Sequence, residues 1–237
     1  MARQLAAELC GTALLLVAIV GSGVTASADG AESAQLFQHA VVVGAALAAL
    51  IATFGAVSGA HFNPVVTLVD ALQGGLGRRA AAGYVAAQIA GALSGVVLAN
   101  VLFDLQPITL STTDRSGAAL ALSEALATFG LVVVIFGVVR AGRPGAVPAT
   151  VGAWIAGAIY FTSSASFANP AVTLARQLTD TYTGIAPAAV PGFLLAQLLG
   201  AAAAGILVRW LFATEDLADE VLLPHPDPEE VPSWPTR

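Results

Sequence analysis

The chain has 237 residues, 57% of them hydrophobic and only 10% charged, where a soluble domain carries about 25% charged residues. A mean hydropathy of +0.82 excludes an ordinary soluble globule and points to an integral membrane protein. The formal charge of −6, with arginine as the only strong base, argues against nucleic acid as a partner.

The first apolar run, 4–24, follows Arg3 as a signal peptide would. It is, however, unbroken over the ~20 residues needed to cross a hydrocarbon layer, and reads as a membrane helix carrying Glu8 and Gly11. The single cysteine, Cys10, lies in this run, excludes an internal disulfide or cysteine metal cluster, and reads as a small core residue. A second span is expected over 38–58. The small, polar SGAH at 58–61 then leads into FNPVVTLVD at 62–70. The apolar piece that follows, 63–73, is too short to span. A third span over 80–103 contains GYVAAQIAGA (83–92), and a fourth, 118–139, contains LSEALATFGLVV (122–133). A fifth occupies 146–162, followed by TSSASF (162–167), ANPAVTLAR (168–176) and a second short apolar piece, 169–178. The last span, 188–212, contains GFLLAQLLGA (192–201). Residues 213–237, rich in Pro, Asp and Glu, read as a solvated, disordered tail.

The two halves repeat. AAELCGTALLLV (6–17) aligns Glu8 with Glu124, the two AQ segments align Gln88 with Gln197, and the Asn-Pro segments align Asn63 with Asn169. Each half has an odd number of spans, so the second enters the membrane from the opposite side. The predicted fold is an all-α membrane protein of six transmembrane helices plus two re-entrant half-helices in an inverted repeat. Its membrane domain is 1–212, with halves at about 1–110 and 115–212. Arg3, Arg78, Arg79, Arg140, Arg143 and Arg209 fall on one side, against Arg115 and Arg176 on the other. That excess predicts both termini in the cytoplasm, and hence a multi-pass protein of the inner (plasma) membrane.

Each Asn-Pro reads as the start of a half-helix. Pro64 and Pro170 suit the first helical position, where a missing N–H is no loss. Asn63 and Asn169 suit the N-cap, where the side-chain oxygen accepts a backbone N–H and the amide N–H2 remains to donate outward. Inverted symmetry brings both helix starts, each worth about +0.5 charge, to the membrane midplane. The irregular backbone before them is tolerated there only if buried in protein or lining a watery cavity; its carbonyls would form a ladder of acceptors.

These residues — SGAHFNPVVT, ANPAVT, Glu8 with Glu124, and AQIAG with AQLLG — resemble the major intrinsic protein family of aquaporins and glycerol facilitators over about residues 4–212. The resemblance implies a pore in each subunit, a homotetramer, and passive passage of small uncharged solutes (water, polyols, metalloid hydroxides) across the lipid bilayer, with no cofactor. It implies pore motifs at Asn63, Pro64, Val65 and at Asn169, Pro170, Ala171, and structural support of the loops by Glu8, Glu124 and His61. Two positive helix ends repel cations and protons, a mechanism known for aquaporins. Gly91, Gly95, Gly200 and Ala204 read as close helix-packing positions. His61, His39 and His225 are too few and too scattered for a metal site, and no nucleophile–base pair or phosphate loop suggests an enzyme.

One position departs from the family. Most members place an arginine three residues after the second asparagine; here that position is Val172. The implied selectivity filter is Val43, Ile159, Ser166 and Val172, with Tyr160 and Gly157 as alternatives to Ile159. Without the guanidinium or an aromatic partner, such a pore is expected to be wider and less polar. In this it resembles bacterial channels associated with arsenic resistance, which implies arsenite and methylated arsenicals beside glycerol and water as solutes. A general glycerol/water channel and a secondary transporter of a small neutral solute are the alternatives. Arg176 falls one helical turn beyond Val172. It is expected at one pore mouth, with Asp70 at the corresponding place near the other, or else paired with Asp180.

Overall fold

The computed structural model describes residues 1–28 and 31–212. The tail expected over 213–237, and with it His225, lies outside the described residues. The helices are α1 (Ala2–Ser27), α2 (Glu32–Ser58), α3 (Pro64–Gln73), α4 (Arg78–Leu102), α5 (Ala118–Arg140), α6 (Val147–Phe161), α7 (Pro170–Arg176) and α8 (Val190–Leu211). Short 3-10 turns, Pro144–Ala146 and Pro187–Ala189, lead into α6 and α8, and no strand occurs among the described residues. Six helices are long and apolar enough to cross a membrane; α3 and α7 are the half-length pieces.

The first two spans, α1 and α2, outrun the apolar runs that announce them. α2 begins at Glu32 rather than near residue 38. A helix of 27 residues rises about 40 Å, more than the ~30 Å hydrocarbon core, so its first polar turns extend past that core.

Packing follows the repeat. α1 lies along α4 as α5 lies along α8, α3 meets α8 as α7 meets α4, and α2 meets its own repeat mate α6 at the centre. Small residues permit these approaches. A Cβ on Gly91 would stand 2.3 Å from the Leu9 carbonyl oxygen of α1, and one on Gly200 would stand 2.2 Å from the Ala125 carbonyl oxygen of α5. At the central crossing, Cβ atoms on Gly44 and Gly152 would stand 2.6 and 2.5 Å from each other's carbonyl oxygens. In lipid, where apolar burial between helices gives little drive, such close packing is what associates them.

Large apolar side chains point outward all round the bundle, among them Leu14, Val41, Leu122, Leu195, Ile206 and Trp210, while polar groups such as Glu8, Gln88, Glu124 and Gln197 are fully buried. Cys10 belongs to the outward set. The expectation of a core cysteine fails because the bundle's solvent is lipid, so an apolar flank does not imply an inward face.

Candidate functional site

α3 and α7 meet end to end at their N-termini. Asn63 and Asn169 are in extended conformation (φ −152° and −155°) and cap them: Asn63 Oδ1 accepts from Val65 N, and Asn169 Oδ1 from Ala171 N and Val172 N. Each amide also donates across to the other repeat's loop, Asn63 Nδ2 to Ala168 O and Asn169 Nδ2 to Phe62 O, both at 2.8 Å. The expectation that the amide is wholly free to donate outward is therefore corrected. One N–H of each asparagine holds the two halves together, and one remains for the cavity that both residues line.

The backbone before each asparagine takes left-handed conformations at non-glycine residues: Ala60 (φ 51°) and Phe62 (49°) in one loop, Ser166 (44°) and Ala168 (49°) in the other. Each costs of order 1–3 kcal/mol and persists only where the surroundings impose it. Glu8 imposes the first loop, accepting from His61 N (3.0 Å), Phe62 N (2.7 Å), Ser58 Oγ (2.6 Å) and Gln88 Nε2 (2.8 Å). Glu124 imposes the second, accepting from Phe167 N (2.8 Å), Ala168 N (2.9 Å) and Gln197 Nε2 (2.7 Å). Gln88 and Gln197 donate onward to Thr67 and Thr173, whose hydroxyls donate to the Asn63 and Asn169 carbonyls. The His61 ring meets the Thr67 hydroxyl through Nδ1 at 3.0 Å, and the residue lines the cavity. These chains pair the N–H groups of His61, Phe62, Phe167 and Ala168 with the two carboxylates.

A cavity runs past this centre between α2 and α6. Its walls are two stripes at every fourth residue: His39, Val43, Leu47 and Ile51 on α2, and Val147, Val151, Ile155 and Ile159 on α6. Val43, Ile159, Ser166 and Val172 all line it and are at most 5% exposed. Tyr160 faces away, 53% exposed, with its ring 6.0 Å from Phe37, and Gly157 is not on the cavity wall. Ser166 Oγ is buried with no hydrogen-bond partner among the described residues.

Paired half-helices capped by asparagine, glutamate-held loops and an apolar cavity that passes both asparagines are the build of a membrane pore. Residues 1–164, well over half of the chain, match the family model described as Major intrinsic protein. The chain belongs to the major intrinsic protein family. It is similar to the aquaglyceroporin AqpS of Rhizobium meliloti (strain 1021), 50% identical over 212 residues, which is 89% of this chain and 91% of that protein. It is 30% identical to aquaporin NIP1-4 of Oryza sativa subsp. japonica over 223 residues, 92% of this chain and 80% of that one. Its fold is shared with the crystallised aquaglyceroporin of Plasmodium falciparum at a TM-score of 0.69 and 18% identity, covering 90% and 96% of the two chains. The protein is a multi-pass membrane channel of this family and not an enzyme.

Within the channel, Arg176 and Asp70 part company. Arg176, 3% exposed, lines the cavity. Its Nε donates to Thr183 O, and its guanidinium carbon lies 3.4 Å from the centroid of the Phe167 ring. The alternative pairing with Asp180 does not form, because Asp180 accepts from the backbone and hydroxyl of Thr112 instead. Asp70 is not at a mouth. It is fully buried behind the wall, with Oδ2 3.8 Å from His61 Nε2. The cause is local: Gly74, in left-handed conformation (φ 94°), ends α3, and Gly75 folds so close that a Cβ there would stand 2.2 Å from Asp70 Oδ1. Among the described residues, no group of three His, Cys, Asp or Glu side chains is placed to hold a metal ion.

His39, which the sequence offers only as a histidine without metal partners, lines the cavity and is 2% exposed. Its Nδ1 meets Ser22 Oγ at 2.8 Å. The available signal was its spacing, one helical turn before Val43 on the same face of α2.

Proposed function

We propose that this channel passes small uncharged hydroxylated solutes through a broad, weakly polar constriction. Its solutes are arsenite as the neutral trihydroxide and methylated arsenicals, with glycerol and water passing as well. The observation that carries this reading is the set Val43, Ile159, Ser166 and Val172, all of which line one cavity. Three are aliphatic, and the fourth offers a single hydroxyl without a protein partner. A ring of this kind has neither a fixed positive charge nor an aromatic plate to exclude a solute wider than water. The name of the relative AqpS, an aquaglyceroporin, is consistent with it. The same reading has the chain working as a homotetramer in the plasma membrane with both termini cytoplasmic, in line with arginine placement.

The test is stopped-flow permeability of the purified protein in liposomes to water, glycerol and arsenite, for the natural chain and for Val172→Arg. A guanidinium at that position is expected to cut glycerol and arsenite passage about tenfold or more, the effect of a barrier raised by ~1.4 kcal/mol, while water passes. Glycerol and arsenite passage unaltered by Val172→Arg refutes the filter. Glycerol and water flux without arsenite flux leaves a general glycerol/water channel. Flux that saturates and follows the proton gradient instead indicates a secondary transporter.

A further inference from the structure

The twofold repeat is obeyed wherever the fold depends on it and broken at one mouth of the pore. The register in which Gly44 faces Gly152 pairs Val43 with Val151, Leu47 with Ile155 and Ile51 with Ile159, apolar with apolar along the two stripes. It also pairs His39 with Val147, and the Asn-Pro alignment pairs Arg176 with Asp70. The mouth opposite the chain termini thus carries a histidine and an arginine on the cavity wall. The other carries Val147 on its helix and His61 in its loop, and its acid is withdrawn behind the wall.

We propose that His39 and Arg176 form a solute-binding station that hydrogen-bonds a hydroxylated solute one helical turn outside the aliphatic constriction, with Arg176 donating to the solute's oxygens. His39 precedes Val43 by four residues on α2, and Arg176 follows Val172 by four on α7. Both therefore stand about 6 Å beyond that constriction along their helices. The two residues converge on one segment: the His39 ring lies 6.0 Å from the Tyr182 ring, and Arg176 Nε donates to Thr183 O. Among the described residues, that bond is the only hydrogen bond of the Arg176 guanidinium. Phe167 covers one face of the guanidinium, which leaves its two Nη groups as donors at the wall of the cavity. Among the described residues no carboxylate forms an ion pair with it: Asp180 accepts from Thr112, and Glu124 from the loop backbone and Gln197. Arg115, 5.1 Å from the same Phe167 ring, is committed to the Gly184, Tyr182 and Ser164 carbonyls, and adds positive potential.

The arrangement supplies what the constriction lacks. A solute entering from this side must shed water before an aliphatic constriction whose only polar side chain is the Ser166 hydroxyl. Arg176 and His39 replace part of the lost hydration just ahead of it, and Asn169 and Asn63 do so beyond it. Solutes rich in acceptor oxygens are favoured, and cations are disfavoured. The station thereby deepens the reading of the channel as a broad polyol and metalloid-hydroxide pore and rests on it.

The test uses the full chain in liposomes, with Arg176→Met, His39→Leu and His39→Gln. The ratio of glycerol to water permeability is expected to fall about tenfold in Arg176→Met, as for loss of one charge-assisted hydrogen bond. It should fall less in His39→Leu and recover in His39→Gln, which restores a hydrogen-bonding side chain. A second arm does not depend on glycerol passing at all. Replacing chloride with methanesulfonate, an acceptor-oxygen monoanion, should slow water flux through the natural channel and leave Arg176→Met indifferent. A glycerol ratio within twofold of the natural chain in Arg176→Met, or the same ratio in both His39 variants, overturns the station. So does methanesulfonate sensitivity that is absent from the natural channel or shared by Arg176→Met. A natural channel that excludes glycerol and arsenite yet shows Arg176-dependent methanesulfonate sensitivity keeps the station and discards the solute assignment. Where Arg176→Met fails to assemble, the two His39 variants decide.

Discussion

Glutamine in place of Glu8 or Glu124 preserves shape and removes one acceptor, which makes the two substitutions a sharp test of why these acids lie within the membrane. At Glu8 each carboxylate oxygen accepts two bonds: Oε1 from Ser58 Oγ and His61 N, Oε2 from Phe62 N and Gln88 Nε2. Whichever oxygen survives, two donors face an amide N–H2 instead, although the Ser58 hydroxyl can turn to accept. At Glu124 the amide oxygen can take the place of Oε2 and keep Ala168 N and Gln197 Nε2, so that only Phe167 N is orphaned. A buried orphan costs about 1–3 kcal/mol. Glu124→Gln is therefore expected to lose about 1–3 kcal/mol and Glu8→Gln about 2–5 kcal/mol, and each kcal/mol corresponds to about 2–4 °C for a chain of this length. Thermal unfolding of the detergent-solubilised protein, followed by size-exclusion fluorescence, should rank natural above Glu124→Gln above Glu8→Gln. The solute flux that remains should be as independent of the proton gradient as in the natural channel. Variants that unfold with the natural chain but alter proton-coupled flux would refute the structural role and make these acids a relay.

Three other outcomes follow from the same geometry. Gly200→Leu should prevent α8 from reaching α5, since even a Cβ would stand 2.2 Å from the Ala125 carbonyl oxygen; the measurable result is loss of a monodisperse peak on size exclusion, and normal assembly would sink the packing argument. Asn169→Ala removes an N-cap worth ~1 kcal/mol and the bond to Phe62 O; it should lower the unfolding midpoint by several degrees and reduce water flux. Gly75→Val should push against Asp70 Oδ1 and destabilise the protein by about 1–3 kcal/mol, as overpacking does; a midpoint within a degree of the natural chain would contradict the burial of Asp70.

The fold was legible because its strongest signals are local. Pro64 and Pro170 announce helix starts wherever they lie, and two short apolar pieces among long ones can only be re-entrant. The repeat carried the reading further: Gln88 and Gln197 aligned as a bare pattern, and in three dimensions each donates to its own glutamate. What could not be read is long-range or depends on facing. The crossed bonds Asn63–Ala168 and Asn169–Phe62 join residues of different halves, and no spacing rule reaches that far. Asp70 occupies the place of Arg176 in the repeat, but glycines at 74 and 75 close the chain over it, a difference in loop conformation rather than in pattern. Which of Ile159, Tyr160 and Gly157 faces the cavity depends on helix rotation, which the break before Asn169 leaves undetermined in sequence; the α6 stripe puts Ile159 on the cavity wall.

Why position 172 can hold valine follows from how the surrounding loop is anchored. The turns before Asn169 are tied by Glu124 to Phe167 N and Ala168 N, and by Ser164 Oγ to Ser166 N. Arg115 then joins that loop, through Ser164 O, to the 182–184 segment, through Tyr182 O and Gly184 O. Arg176 fastens the same segment at Thr183 O. The rim of the pore is thus held by two arginines that approach from outside the constriction, and the side chain at 172 makes no hydrogen bond on which the backbone depends. A residue free of that duty can change with selectivity alone. The arginine one turn further along α7 is not free in this way, since it both ties the rim and faces the cavity. Substitution at 172 should accordingly move permeability ratios with little change in unfolding midpoint, whereas substitution at 176 should move both.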